Sequence, residues 1–292
     1  MINKVKTGVT IVNDSVKLFV QNDPLRMSGA TAFFTLFALP PILIILVRIF
    51  SFIVDPQTVR HEVFLSLSDV LGPEAVRQVI EVIRAFRELT YNWLAAIIGF
   101  IFLLFIATTL FRVIKASINQ IWGMQRPEGK KVLITLRSRG QSLLVILSMG
   151  ALFAIGVFVE TVQVFIGNFF IKFFPAASSI VNQLLSFIIT TLITSLWFLI
   201  LFRYLADGRP KWRIAWVGAL FTSVLFSIGK MLLHVLLTYN NITNIYGASA
   251  SVVLLLLFVF YSGMILYFGA AFTKVWSVYK QEDIIMRYKR NN

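Results

Sequence analysis

The chain contains no cysteine, only two histidines and few charged residues. The absence of cysteine among its 292 residues excludes disulfides, thiolate catalysis and Cys-ligated zinc or iron–sulfur sites. Charged residues make up 14% of the chain, whereas soluble domains carry about a quarter. The sequence also lacks the motifs of phosphate-binding loops, dinucleotide-binding folds and zinc peptidases. We therefore expect no metal and no other cofactor, and we assign no catalytic residue.

Long apolar segments account for most of the chain. Hydrophobic residues make up 58% of it, and the mean hydropathy is +0.82. A helix needs about 20 apolar residues to cross the hydrocarbon core of a bilayer. Segments of this kind lie at 28–54, 92–111, 140–166, 178–202, 214–238 and 246–273. The sequence therefore predicts an all-α, polytopic membrane protein whose six transmembrane helices form a single membrane domain over 1–292.

The positions of the basic residues predict the orientation of these helices. Six spans place 1–27, 112–139, 203–213 and 274–292 on one side of the membrane, and these segments contain 20 of the 27 Lys and Arg. The segments on the opposite side contain five. Because basic loops are retained in the cytoplasm, we expect both termini to be cytoplasmic. This asymmetry accounts for the net charge of +14 without a nucleic-acid partner.

Two segments outside the predicted spans have helical patterns. In 5–20, apolar residues recur at helical spacing beside lysines, which predicts an interfacial helix within the cytoplasmic segment 1–27. These apolar residues are Val5, Val9, Val12, Val16 and Phe19. The external segment 55–91 places acidic and basic residues at the spacing of ion pairs on a solvated helix. We therefore expect an external helical segment there.

Three ionisable residues lie inside the predicted spans, although a charge at the bilayer centre costs at least about 2.5–3.5 kcal/mol. Arg48, Glu160 and Lys230 fall at similar depths in the outer half of the membrane. Lys230 and Arg48 would bind an anion there, and Glu160 would neutralise them in the empty site. His234 lies one turn beyond Lys230 and would couple binding to pH. The alternative is an ion pair that only joins helices, with Arg48 reaching the outer headgroups.

Pro40 and Pro41 form a predicted helix break in the first span. Proline has no amide hydrogen, so the carbonyl groups near Leu36 and Phe37 lose their usual helical donors. Neighbouring groups or water in a cavity must then satisfy these carbonyls. Such breaks line many transport sites, but a simple packing kink fits this sequence equally well.

Two predicted cytoplasmic segments carry basic residues that suit contacts with lipid headgroups. The residues are Arg126, Lys130, Lys131, Arg209, Lys211 and Arg213. Alternatively, they only fix the topology. RNA binding requires interleaved aromatic residues, whereas the nearby Trp122 and Trp212 suit the interfacial aromatic belt. We therefore expect anionic membrane lipids as partners and no nucleic acid, while the sequence indicates no particular oligomeric state.

Several short blocks between 20 and 276 form a recognisable series. Asn119 and Trp122 follow the second span, Gly229 precedes Lys230 in the fifth, and a Tyr-Gly-Ala block opens the sixth at 246–251. Further members are Asp23, Ser28, Gly29, Ala30, Ala32, Phe33, Phe34, Leu36, Pro40, Tyr261 and Ser262. In order and spacing, the series resembles the YihY/BrkB family of bacterial inner-membrane proteins. The chain departs from the family pattern at Ala271, where Glu is common, and at Ala206, where Pro is common.

The resemblance implies a location in the bacterial inner membrane. It also implies a ribonuclease activity, because the family has carried that label. The predicted cytoplasmic acids are scattered over four segments without a histidine, so no nuclease constellation is present. Our leading hypothesis is a transporter or lipid-handling protein for an anionic solute or lipid headgroup. The main alternative is a non-transporting envelope organiser that binds partners through 55–91.

Overall fold

Long helices make up most of the molecule. The computed structural model describes residues 2–50, 93–124, 175–239 and 250–286, together with isolated helical positions within 64–84 and 140–156. The long helices of this part are α1 (Ile2–Val20), α2 (Pro24–Phe50), α3 (Trp93–Ile121), α4 (Pro175–Ile200), α5 (Trp212–Tyr239) and α6 (Ala250–Tyr279). A five-residue π-helical turn, Leu201–Leu205, extends α4. The predicted helical fold class is therefore confirmed.

The described residues also contain one short antiparallel strand pair, which the sequence did not predict. Strand β1 (Gly208–Arg209) pairs with β2 (Ile285–Met286), and Gly208 lies opposite Met286. The pair joins the link between α4 and α5 to the chain that follows α6. It therefore fixes two distant segments at the same end of the molecule.

Three described helical segments are long and apolar enough to cross a membrane. They are Phe187–Leu205, Trp212–Leu232 and Val252–Tyr279. These segments overlap the last three predicted spans. The predicted spans 28–54 and 92–111 overlap α2 and α3, whereas most of 140–166 and of the external segment 55–91 lies outside the described residues.

Helix α6 occupies the centre of the described bundle. It packs against α1, α2, α3 and α5, while α4 packs against α5. The α2 contact depends on small residues, because a Cβ atom at Gly263 would lie 3.3 Å from the Cα of Ser28. Small side chains allow two helix backbones to approach closely.

A reciprocal Gly–Thr contact joins α5 to α6. A Cβ atom at Gly218 would overlap Thr273, and one at Gly269 would overlap Thr222. Each threonine hydroxyl donates a hydrogen bond to the carbonyl of the glycine one turn earlier in its own helix, at 2.6 Å for Thr222 and 2.7 Å for Thr273. The hydroxyls are thereby satisfied without a partner across the interface.

Helix α1 packs against α6 at the N-terminal end of the chain. The rings of Phe19 and Phe268 meet edge to face at 5.5 Å, and Ile11 is buried. On another face of α1, Val9 and Val16 are exposed. The helix predicted over 5–20 is thus present, and it presents an apolar surface in addition to the one that contacts α6.

Candidate functional sites

Lys230 is the one residue of the predicted intramembrane cluster whose side chain is described. It lies on α5, within the apolar segment Trp212–Leu232, and is half-buried. Among the described residues, none forms a hydrogen bond or an ion pair with Lys230. Arg48 and His234 lie in α2 and α5, but their side chains are outside the described part of the chain, as is the whole of Glu160. Their proximity to Lys230 stays a prediction.

Lys230 belongs to the face of α5 that is turned towards α4. Ala219 and Ser223 on this face are buried, and the ring of Phe226 meets that of Phe198 on α4 at 5.9 Å, edge to face. Lys230 follows Phe226 by four residues, which is about one helical turn. Its side chain therefore starts from the boundary between α4 and α5 and not from the exposed face, which carries Met231.

Two hydroxyl groups lie on the face of α4 that carries Phe198, opposite the α5 face that carries Lys230. Ser195 and Thr191 precede Phe198 by three and seven residues, so they share its face of the helix. Their side chains are 0% and 9% exposed, and neither hydroxyl has a hydrogen-bond partner among the described residues. Elsewhere in the bundle, hydroxyls on helices donate to the carbonyl four residues earlier; examples are Thr31, Thr35, Thr109, Ser227 and Ser262.

A second polar cluster lies at the other end of α4 and was not predicted. The Lys115 ammonium on α3 is 2.6 Å from Oδ1 of Asp207, which follows the π-helical turn. Nδ2 of Asn119 donates to Oδ2 of Asp207 at 2.7 Å, and the amide of Asp207 donates to Oδ1 of Asn119 at 2.9 Å. Lys115 is 4% exposed, so the carboxylate holds a cation that is nearly removed from water.

The two tryptophans expected in the interfacial belt occupy different environments. Trp122 is 2% exposed, and its Nε1 donates to the carbonyl of Ala270 at 2.9 Å. The expectation for Trp122 was wrong because its ring fills the space beside Gly208, where a Cβ atom would lie 2.8 Å from the ring. Trp212 is 49% exposed, with the Arg203 guanidinium 4.8 Å from its ring centroid.

A model of the BrkB virulence factor family matches residues 16–288, which is nearly the whole chain. The chain belongs to the BrkB family. Three of the residues that suggested this family are contact residues of the bundle: Asn119 bonds Asp207, Trp122 bonds a carbonyl of α6, and Gly229 leaves space for the ring of Tyr261. Ala271, where the family pattern commonly has Glu, is fully buried.

Relatives of this BrkB-family chain occur in several bacteria. It is 26% identical to a UPF0761 membrane protein of Mannheimia succiniciproducens over 88% of the chain and 86% of that protein. It is 26% identical to one of Pseudomonas paraeruginosa and 28% identical to one of Chromobacterium violaceum, over 90% and 88% of the chain. The match spans only 62% and 59% of those two relatives. No solved structure matches the chain.

The four segments of the BrkB-family chain with excess basic charge meet at one end of the bundle. Arg26 donates to Gln120 at 3.3 Å, and the Asn119–Asp207 bonds and the strand pair connect the other segments. Arg209, Lys211 and Arg213 are exposed here, and Lys211 lies 3.4 Å from Glu282. Arg126, Lys130 and Lys131 lie outside the described residues. This end therefore presents an exposed basic surface.

The two prolines of the first predicted span lie inside a continuous helix. Helix α2 extends from Pro24 to Phe50, so the helix continues on both sides of Pro40 and Pro41. Pro40 is buried, and the side chain of Pro41 is outside the described part. Whether the carbonyls that lose their donors line a transport site stays a prediction.

Proposed function

We propose that this membrane protein of the BrkB family transports an anionic solute or handles an anionic lipid headgroup in the bacterial inner membrane. In this proposal the chain crosses the membrane six times and both termini are cytoplasmic. The four basic segments contact one another at one end of the bundle, and this supports the topology. With six crossings, two spans separate each basic segment from the next, so all four segments lie on the same side of the membrane. Three apolar segments of sufficient length lie in the described part.

The half-buried Lys230 carries the proposal for an anionic ligand. An ammonium within an apolar segment loses hydration, and this cost must be offset by a counter-charge or by hydrogen-bond acceptors. The described residues supply neither to Lys230. An anion that enters between α4 and α5 would supply both. In the empty site, Glu160 would pair with the Lys230 ammonium. Arg48 would add a second positive charge, and His234 would make ligand binding depend on pH.

The exposed basic end gives the proposal a second part. Arg209, Lys211 and Arg213, together with Arg126, Lys130 and Lys131 of the preceding basic segment, would contact anionic headgroups of the cytoplasmic leaflet. Each basic residue near such a surface contributes about 1 kcal/mol of attraction. These contacts would orient the protein and raise the local concentration of anionic lipid beside it.

Native mass spectrometry of protein released from membranes in mild detergent tests the role of Lys230. We expect wild-type protein to carry a bound anionic lipid or solute and Lys230→Met to lose it. Lys17→Met is the matched control, because Lys17 is exposed on α1 and pairs with Asp14 at 3.7 Å. Retention of the ligand by folded Lys230→Met, or its absence from wild-type protein, would contradict the proposal.

An organising role through 55–91 is the second candidate. Arg77 and Glu81 form an exposed pair at 3.9 Å along one helical turn, while the adjacent Val76 is 5% exposed. A solvated charged face of this kind suits a soluble protein partner. Deletion of 55–91 should abolish an organising role and leave ligand binding at Lys230 intact, whereas loss of both would exclude a separate organising segment.

A further inference from the structure

We infer that Thr191 and Ser195 complete the site at Lys230 and that the group bound there is a phosphate. This inference rests on the proposed anionic ligand and adds two residues and a substrate class to it. The two hydroxyls are buried and lack partners in the described structure. A buried polar group without a partner is costly. Other helical hydroxyls of the described bundle, such as those of Thr31, Thr35 and Ser227, bond to their own helix, whereas Ser28 on α2 also lacks a partner.

The antiparallel arrangement of α4 and α5 brings the three side chains to one level. The contact between Phe198 and Phe226 fixes the register of the two helices. Measured from it along the pair, Ser195 lies about 4.5 Å away, Lys230 about 6 Å and Thr191 about 10.5 Å, at 1.5 Å per residue. The lysine therefore starts between the levels of the two hydroxyls and on the helix face directed towards them.

This combination of groups matches a phosphate. The ammonium can donate three hydrogen bonds and each hydroxyl can donate one. The oxygens of a bound anion would accept these bonds, so no protein acceptor is needed. A phosphate has three or four oxygens with which to accept several such bonds, and a carboxylate has two. The Phe198 and Phe226 rings beside these groups are apolar and lower the local dielectric constant, which strengthens each charge-assisted bond.

The α5–α6 contact indicates that Lys230 is directed towards α4, where the two hydroxyls lie. A Cβ atom at Gly229 would lie 2.8 Å from both Tyr261 and Ile265, so α6 is pressed against the glycine that precedes Lys230. That side of α5 is closed by α6. Because the neighbouring lysine is rotated by about 100° from Gly229, it is directed away from α6 and towards α4.

The test compares phosphate binding by wild-type protein with that of a double variant, Thr191→Val with Ser195→Ala. One probe is inorganic phosphate added to delipidated protein in detergent, followed by isothermal titration calorimetry. The other is phosphatidylglycerol against phosphatidylcholine in nanodiscs, followed by native mass spectrometry. Losing two hydrogen bonds to a charged group should weaken binding at least about tenfold. Weaker binding of only one probe would identify the phosphate as that of a solute or of a lipid.

Matched variants separate this inference from the proposed function. Thr35→Val with Ser262→Ala removes the same two groups where both hydroxyls bond to their own helix, and it should bind as wild type. Thr191→Ser keeps its hydroxyl and should also bind as wild type. Weakening by Lys230→Met but not by the double variant would overturn this inference and leave the proposed function intact. No binding of either probe by wild type would overturn this inference alone, and binding that neither variant weakens would overturn both.

Discussion

At the scale of single residues, the Lys115–Asp207 pair is notable because its ammonium is nearly removed from water. Asp207→Asn should destabilise the protein by about 3 kcal/mol, because it leaves the Lys115 ammonium without this counter-charge. The value lies at the lower end for buried pairs because Asp207 is 23% exposed. Thermal unfolding in detergent, followed by tryptophan fluorescence, measures the effect.

The control for this prediction is the exposed pair between Lys211 and Glu282, whose side chains are 57% and 29% exposed. Lys211→Met should cost at most about 1 kcal/mol, because water and salt already screen exposed ion pairs. Equal losses of stability in Asp207→Asn and Lys211→Met would show that the buried pair stabilises the protein no more than the exposed pair does.

Individual residues differed in how far the sequence could predict them. Lys230 was predictable because a cation in an apolar run is itself unusual. Thr191 and Ser195 were not, since a hydroxyl on an apolar helix usually bonds its own backbone, and only the structure reveals that these two do not. The pairing of Lys115 with Asp207 was equally hidden, because Lys115 lies on α3 and Asp207 lies in the link that follows α4, and nothing in their local sequence connects them.

At the scale of helices, the reciprocal contact between Gly218 and Thr273 and between Gly269 and Thr222 sets the separation of α5 and α6. Gly269→Ala should destabilise the protein by about 1–3 kcal/mol, because the added methyl group overlaps Thr222. Adding Thr222→Ala should restore part of this loss, because it removes the nearest atoms. Thermal unfolding of the single and double variants measures both effects.

Gly29→Ala is the matched control for this helix contact. Gly29 also lies inside a helix, but no other element in the described part of the chain comes within 4 Å of the position that its Cβ atom would occupy. Alanine favours helix over glycine by up to about 1 kcal/mol, so this variant should unfold at the same or a higher temperature. If both alanine variants behaved alike, the close approach of α5 and α6 would not limit stability.

The helices themselves were predictable from apolar length, but their ends were not. The predicted span 92–111 ends ten residues before α3 does, because the helix continues through the polar sequence that supplies Lys115 and Asn119. Hydropathy detects apolar length and not the helix itself, so it misses a polar extension of α3 whose side chains bond to other elements. The β1–β2 pair was not predicted because each strand has only two residues, which is too short to show the alternating pattern of a β-strand.

At the scale of the whole molecule, contacts join the basic segments of the chain at one end of the bundle. Arg26 and Gln120, Asn119 and Asp207, and the strands β1 and β2 each join two segments rich in basic residues. The predicted external segment 239–245 contains no basic residue. A membrane that retains basic loops in the cytoplasm would therefore hold the joined end inside and 239–245 outside.

The lack of cysteine makes this orientation directly measurable, because any introduced thiol is the only one in the chain. Lys17→Cys, Arg209→Cys and Lys280→Cys replace exposed residues at the joined end. A membrane-impermeant maleimide should label these three in inverted membrane vesicles and not in intact spheroplasts. Asn241→Cys should show the opposite pattern. Labelling of Arg209→Cys and Asn241→Cys from the same side would mean that α5 does not cross the membrane, and the six-span topology would then be wrong.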